Sequence, residues 1–463
     1  MSRLWALLGV AVLALALSAC GGEEGAKEGG GAGDEARPTT AAGPVTIDLW
    51  HMETGATETT LQRLVDRFNA SQDEVKVRLV FQGGAGDIVL KLLTSLRSGD
   101  VPALVELVEA DVQVMVDSGG VTPVQEFVDA EGYDLSDFDE KAVQYYTVDD
   151  KLYAMPFAVS VPMLYYNKVA FREAGLDPEK PPLTLDDVRV YSEKLLKVDS
   201  AGNVVRSGIA LDMVSWWLEV SLAEHDDLFV NNSNGRDGRA TEAVFNGPTG
   251  RAFFRWWDEM IDRGLAFNAG RNPGGADALM AVGAGRAAMA LQTSQALRSV
   301  LDVLETGVEG VDLGVGPFPA VAGATGKPGV GSRGLWIMRD RSEAEQQAAW
   351  KAARWLAEPE QQAELFAGSG FLPVRVSAYD LEPSRQVLEK YPYYKVPVDL
   401  FVGSPSTPAT LGALIGPFSQ VRDTVGQALE EMVVGGKDPD QALNDAAERT
   451  TQQLRDYNQR VGE

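Results

Sequence analysis

The sequence predicts an α/β protein in which mostly parallel sheets are flanked by helices. Three observations carry this. From Val45 onward, short apolar runs alternate with amphipathic stretches. The runs have strand length and the stretches have helix length. Gly/Pro-rich crossings near residues 156, 290 and 320 divide the alternation into blocks where one lobe can hand over to another. Strand-helix alternation favours parallel strands, because each helix carries the chain back across the sheet. A chain of 463 residues has room for two or three domains.

The elements follow in order. VTIDLW (45–50) reads as a strand, and TETTLQRLVDRFNAS (57–71) as a helix with Leu61, Leu64, Val65 and Phe68 on one face. VKVRLVFQ (75–82) is the next strand, DIVLKLLTSLRSG (87–99) a helix stopped by Gly99, and ALVELVEA (103–110) a third strand. Ligands of such sheets bind beyond the carboxyl ends of the strands. That rule puts His51–Thr54, Gln82–Gly86 and Glu109–Asp111 along one rim. YAMPFAVSVPMLYYN (153–167) is a longer β-rich run that Pro156 and Pro162 interrupt. Tyr165 and Tyr166 face opposite sides of a strand, so both are expected as packing residues. Helices are expected near 184–197, 250–263 and 277–283, and strands at 286–292, 310–320 and 326–338. Beyond Ser342 the chain is mainly helical, apart from a Pro-rich section at 391–409.

Composition narrows the function. There are 41 basic against 67 acidic residues, a formal charge of −26. Nucleic acid is excluded as a partner, since binding it needs clustered Lys and Arg. Residues 1–20 carry Arg3, an apolar run too short for a comfortable membrane span, and small residues before Cys20. Leu17-Ser18-Ala19-Cys20 resembles a bacterial lipobox, in which the cysteine is diacylated and the chain is cut before it. Cys20 is the sole cysteine. The expectation is a lipoprotein signal peptide over 1–20, with Cys20 as the lipid attachment site. The alternative is an ordinary secretory leader with an accidental cysteine. Residues 21–44 hold no large apolar side chain and read as a flexible linker, with a reach of roughly 25–30 Å. The protein is thus expected outside the cytoplasm, on the outer face of the cell membrane or the periplasmic side.

Several chemistries are unsupported. With only His51 and His225, there is no H-E-x-x-H pair and no Cys/His cluster. No metal and no cofactor is expected. There is no G-x-S-x-G elbow. GVGSRG (329–334) matches G-x-G-x-x-G but leads into the strand-like LWIM, so a phosphate-cradling helix start is missing. NNSNG (231–235) lacks the acidic residue that closes a calcium loop. Among the aromatics, Trp256, Trp257 and Trp336 are expected in cores. Trp216, after the strand-like GIAL, is a candidate for stacking on a ligand.

Four further segments carry a resemblance. MLYYNKVAFREAGLDPEKPPLTLDDV (163–188), GRAAMALQTS (285–294), GFLPVRVSAYD (370–380) and DPDQALNDAAERTTQQL (438–454) occur in this order. Together they resemble the solute-binding proteins of carbohydrate-type ABC importers over nearly the whole mature chain. Within that family, WHMETGATETTLQRLVDRFNAS (50–71) is similar to the opening of the glycerol 3-phosphate and glycerophosphodiester binders. The resemblance implies a hinged, two-lobe periplasmic-binding-protein fold of type II. It implies an N-terminal lobe of 45–156 plus about 290–320, and a C-terminal lobe of 157–289 plus about 321–463.

The resemblance also implies the ligand residues. They are Glu109 after the third strand, Ser160 in the Pro-Phe crossing and Arg422 near the C-terminus. Thr293 stands at a family serine, Ser332 at the second residue of a Gly-Gly pair, and Phe371 at a family tyrosine; Trp216 is added from its setting. Ala85 stands where the family has another pocket tyrosine. The implied partners are a small solute (a polyol phosphate, phosphodiester or sugar), the transmembrane subunits of an ABC permease, and the membrane through the lipid anchor. A monomer that carries out no chemistry is expected. The competing readings are an oligosaccharide binder of the same family and an anchored extracellular glycosidase or phosphodiesterase, which would need a carboxylate pair or metal cluster on one rim.

Overall fold

The computed structural model describes residues 43–462, apart from 272–275 and 308–309. The expected signal peptide, Cys20 and the linker as far as residue 42 lie outside the described residues.

Strands β1 (Val45–His51), β2 (Val75–Phe81), β3 (Leu104–Val108) and β4 (Val121–Thr122) come first. A small hairpin, β5 (Thr147–Val148) and β6 (Lys151–Leu152), precedes β7 (Met155–Ser160) and β8 (Pro162–Asn167). Then come β9 (Lys197–Val198), β10 (Val204–Leu211), β11 (Ala266–Asn268), β12 (Ala287–Thr293), β13 (Leu313–Pro317) and β14 (Gly331–Met338). They form two six-stranded sheets. The first runs β2-β1-β3-β14-β4, with β7 also paired to β14. The second runs β11-β10-β12-β8-β13, with β9 on β10.

Burial explains the sequence patterns. β3 reads LVELV and is buried throughout, as a central strand covered on both faces must be. On β2, Val75 and Val77 are buried while Lys76 and Arg78 face water. Helix Gly55–Ser71 buries the expected stripe of Leu61, Leu64, Val65 and Phe68. Helices Leu185–Leu195 and Glu343–Leu356 each start at a capping box, Thr184 with Asp187 and Ser342 with Glu345. Trp257 and Trp336 are fully buried, and buried Trp256 donates its indole N–H to the Leu185 carbonyl at 2.8 Å. These three are core residues, as expected.

Both sheets contain more antiparallel pairing than the alternation implies. The β1/β2, β1/β3, β10/β11 and β10/β12 pairs are parallel. The strands next to a crossing are antiparallel to their neighbours: β14 to β3 and β7, and β8 to β12 and β13. A strand that arrives from the other sheet needs no crossover helix, so it enters from the opposite end.

The lobe segments need correction for the same reason. The long β-rich run of 153–167 is two strands in different sheets, with Val161 alone between them. Helix Leu297–Glu305 packs on Gly55–Ser71 and Pro359–Ser369, which cover the first sheet. β13 returns to the second sheet, and β14 belongs to the first. The segment 290–320 therefore does not go wholly with the first sheet, nor 321–463 wholly with the second.

The crossings are bonded to one another. The Ser294 N–H donates to the Val161 carbonyl at 2.9 Å, and the Val161 N–H donates to Ser294 Oγ at 3.3 Å. Beside them, Val159 and Leu372 exchange backbone hydrogen bonds of 3.2 and 2.6 Å. Val161 lies outside both ladders, and the free edge of β7 at Val159 faces no strand, so these pairs satisfy their buried backbone groups.

Candidate functional site

A cleft of about 1420 Å³ opens beyond the carboxyl ends of both sheets. After β1, β2 and β3 it is lined by Met52–Thr54, Gly84–Asp87 and Glu109–Asp111. After β10, β11 and β12 it is lined by Met213–Trp216, Arg271 and Thr293. The expected rim is therefore one wall of the cleft.

Arg422 holds the centre. It sits one turn into helix Phe418–Val433, and its guanidinium lies 4.5 Å over the ring of Phe418, four residues earlier. Its Nε donates to Glu219 Oε1 at 2.9 Å and its Nη2 to Glu219 Oε2 at 2.8 Å, a bidentate pair. Nη2 also donates to Glu109 Oε1 at 2.9 Å. Glu109 belongs to the first-sheet wall and Glu219 to helix Trp216–Glu224 of the second. The other oxygen of Glu109 accepts the Ser332 backbone N–H at 3.0 Å. Arg422 is itself one of the residues that line the cleft.

Burial sets the electrostatics. It would lower the Arg422 guanidinium, but Glu219 and Glu109 outweigh it and the net shift is upward. Burial pushes Glu219 up, and Arg422 pulls against that. Burial, with the Glu109 charge beside it, pushes Asp111 up to about 7. Burial and the neighbouring Glu53 carboxylate push Glu106 well above the usual carboxylate range.

Five of the seven expected ligand residues meet at this cleft: Glu109, Ser160, Trp216, Thr293 and Arg422. Ser160 ends β7 opposite Gly331 of β14. A Cβ on Gly331 would lie 2.9 Å from Ser160 Oγ and 3.7 Å from Trp216, so glycine leaves room for both. Thr293 ends β12, and its carbonyl accepts from the Tyr165 hydroxyl at 2.8 Å. Tyr165 and Tyr166 are buried with their hydroxyls on carbonyls, yet both also belong to the cleft lining, so the expectation of packing alone is only partly met.

Ser332 and Phe371 do not line the cleft. Gly331 and Arg333 share its face of β14, and the strand alternation turns Ser332 the other way. There its hydroxyl bonds that of Tyr146 at 2.9 Å, fully buried. Only its backbone serves the site, through Glu109. Phe371 is 1 % exposed, and its ring lies 5.3 Å beneath the Arg333 guanidinium.

Sequence reasoning missed Glu219, Gln295 and Arg333, and placed Glu53 on the rim without singling it out. Glu219 stands one helical turn after Trp216 in SWWLE, which was a usable signal. Arg333 lies inside GVGSRG, which fails as a phosphate-cradling turn yet delivers its arginine to the cleft. Among the described residues no group of His, Cys, Asp and Glu could hold a metal ion, and no helix is long and apolar enough to cross a membrane.

Known proteins share this sequence and fold. Residues 63–393 match the sequence profile described as bacterial extracellular solute-binding protein. The chain is 32 % identical over 422 residues to the sn-glycerol-3-phosphate-binding periplasmic protein of Pectobacterium atrosepticum, covering 89 % of this chain and 92 % of that one. It is 30 % identical over 421 residues to the protein of the same name from Escherichia coli K12, covering 89 % and 93 %. Among solved structures, UgpB from Mycobacterium tuberculosis in complex with glycerophosphocholine superposes with a TM-score of 0.75 at 22 % identity, covering 90 % of this chain and 99 % of that one. The GacH receptor of Streptomyces glaucescens, solved unliganded and with acarbose, superposes at 0.72 and 19 % identity, covering 89 % and 99 %. At these identities the superpositions establish the fold.

Proposed function

We infer, for a chain that belongs to the bacterial extracellular solute-binding protein family, that the cleft captures a small solute and delivers it to an ABC importer. The solute is glycerol 3-phosphate, a glycerophosphodiester or a related polyol or sugar. The observation that carries this is the Glu109–Arg422 pair on the wall of a cleft open to both sheets, with Glu219 holding the guanidinium from behind. A guanidinium and a carboxylate offer fixed donors and acceptors to hydroxyl and phosphate oxygens. Nothing in the arrangement requires a bond to be broken.

In this reading Glu109, Ser160, Thr293, Trp216 and Arg422 touch the solute. Ser332 acts through its backbone and Phe371 from behind Arg333. The lobes are proposed to meet at three crossings, at Val161, at Ser294 and between β13 and β14, and to close by bending there. The names of the curated relatives support the phosphate-bearing solutes. Trp216 on the cleft wall supports the second reading, an uncharged sugar. Cys20 is proposed as the diacylated anchor that holds a monomer at the membrane beside the permease.

Isothermal titration with sn-glycerol 3-phosphate, glycerophosphocholine and a panel of oligosaccharides tests the reading. Saturable binding of one class, with the solute recovered intact, is expected. No binding to any of them, together with turnover of one, would overturn it in favour of an enzyme.

A further inference from the structure

The cleft contains a second buried guanidinium, on Arg333, and the two are held differently. Arg422 faces two carboxylates, one of them bidentate. Arg333 has one strong ionic hydrogen bond, from Nε to Glu53 Oε1 at 3.0 Å. Its Nη1 and Nη2 make only long contacts of 3.4 Å, to the Ser332 carbonyl and to Gln295 Oε1. A second acid, Glu106, stands 3.9 Å from Nε, beyond hydrogen-bond distance. Glu53 is itself fixed by Gln295, whose amide donates to Oε2 at 2.6 Å.

We propose that Arg333 is the anion-binding residue of the cleft. It takes the phosphate or phosphodiester group of the solute, while Glu109 and Arg422 take the hydroxyl-bearing end. The proposal rests on the cleft being the solute site and names the ligand chemistry that selects for it. Three features fit. Arg333 is pre-oriented, with its plane over Phe371 and its Nε on Glu53, so little freedom is lost on binding. Two donor nitrogens with weak partners remain, which is what a bidentate phosphate contact uses. Glu109 accepts from Arg422 Nη2 at 2.9 Å and from the backbone N–H of Ser332, the residue before Arg333, at 3.0 Å, so it stands between the two arginine-bearing segments.

Titration of the wild type, Arg333→Gln and Arg333→Lys with glycerol 3-phosphate, glycerophosphocholine and maltotriose decides it. The wild type is expected to bind a phosphate-bearing solute. Arg333→Gln is expected to weaken that binding by about 50-fold or more, as loss of a charged bidentate donor should. Arg333→Lys should restore part of it. Any binding of the neutral sugar should stay within about twofold across the three proteins, since a neutral ligand leaves the charged donors little to gain.

Should Arg333→Gln not fold, Phe371→Leu keeps the charge and removes the ring beneath it. A selective loss for the anionic solute is expected there too, and an unchanged affinity counts against the proposal. A wild type that binds only the neutral sugar, or an Arg333→Gln that binds the anion undiminished, overturns the role of Arg333 and leaves the solute reading standing. A wild type that binds none of the three overturns the solute reading itself.

Discussion

Replacing Arg422 with alanine weakens solute binding by about 2–4 kcal/mol, roughly 30- to 1000-fold, the range for losing a charged donor in a closed cleft. The loss has two sources. One is the contact that the guanidinium of Arg422, a residue of the cleft lining, makes with the solute. The other is the set itself: without the guanidinium, Glu109 and Glu219 repel one another and no longer present ordered acceptors. The folded protein also loses stability, and the sign of its pH dependence follows. Burial already raises Glu219, and removing Arg422 raises it further. A carboxyl raised in the folded state gives its full contribution below its unfolded value of about 4.3, and that contribution is lost as pH rises through the folded value. Arg422→Ala should therefore lose more melting temperature at pH 8 than at pH 5. Arg422→Lys keeps the charge but not the fork, so its affinity should fall between the two. Thermal melts at both pH values check the stability, titration calorimetry checks the affinities, and an unchanged dissociation constant for Arg422→Ala removes Arg422 from the site.

The second large effect is on the scaffold. Gly370 closes helix Pro359–Ser369 with φ of 101°, in the left-handed region that favours glycine. A Cβ there would stand 2.3 Å from the Ser294 backbone carbonyl. Backbone cannot swing away as a side chain can, so the turn or the crossing must move. Gly370→Ala is expected to destabilise the protein by about 2–4 kcal/mol, combining conformational strain with the clash. Ser294 is the residue that exchanges hydrogen bonds with Val161. The variant should therefore loosen the crossing as well as the helix end. Urea unfolding measures the first, and a loss under 1 kcal/mol would contradict the close approach. Hydrogen exchange at the Val161 and Ser294 amides measures the second.

These two positions show what sequence could and could not supply. The periodic elements were legible because their burial is local in origin: the stripe of Gly55–Ser71 and the buried run of β3 follow from their own residues. The rim was legible because strand ends are. Crossings were harder: YAMPFAVSVPMLYYN showed that one lies within it, but a local run does not say which sheet each strand joins, so the boundary fell near residue 156 instead of at Val161. The same limit misassigned β13 and β14, whose partners lie more than a hundred residues away. At the site, Glu109, Ser160, Thr293 and Arg422 came through family resemblance, and Trp216 through its setting. Arg333 and Glu219 did not, because their roles depend on which residues face them across the cleft. Ser332 was misread because position was known but not the phase of the strand.

The most direct measurement is a crystal structure of the protein grown with the tightest-binding solute. Electron density for intact solute between Arg333, Glu109 and Arg422, with the two sheets drawn together about the crossings, is the predicted result. Solute bound outside the cleft, or a cleft holding cleaved products, would contradict the account.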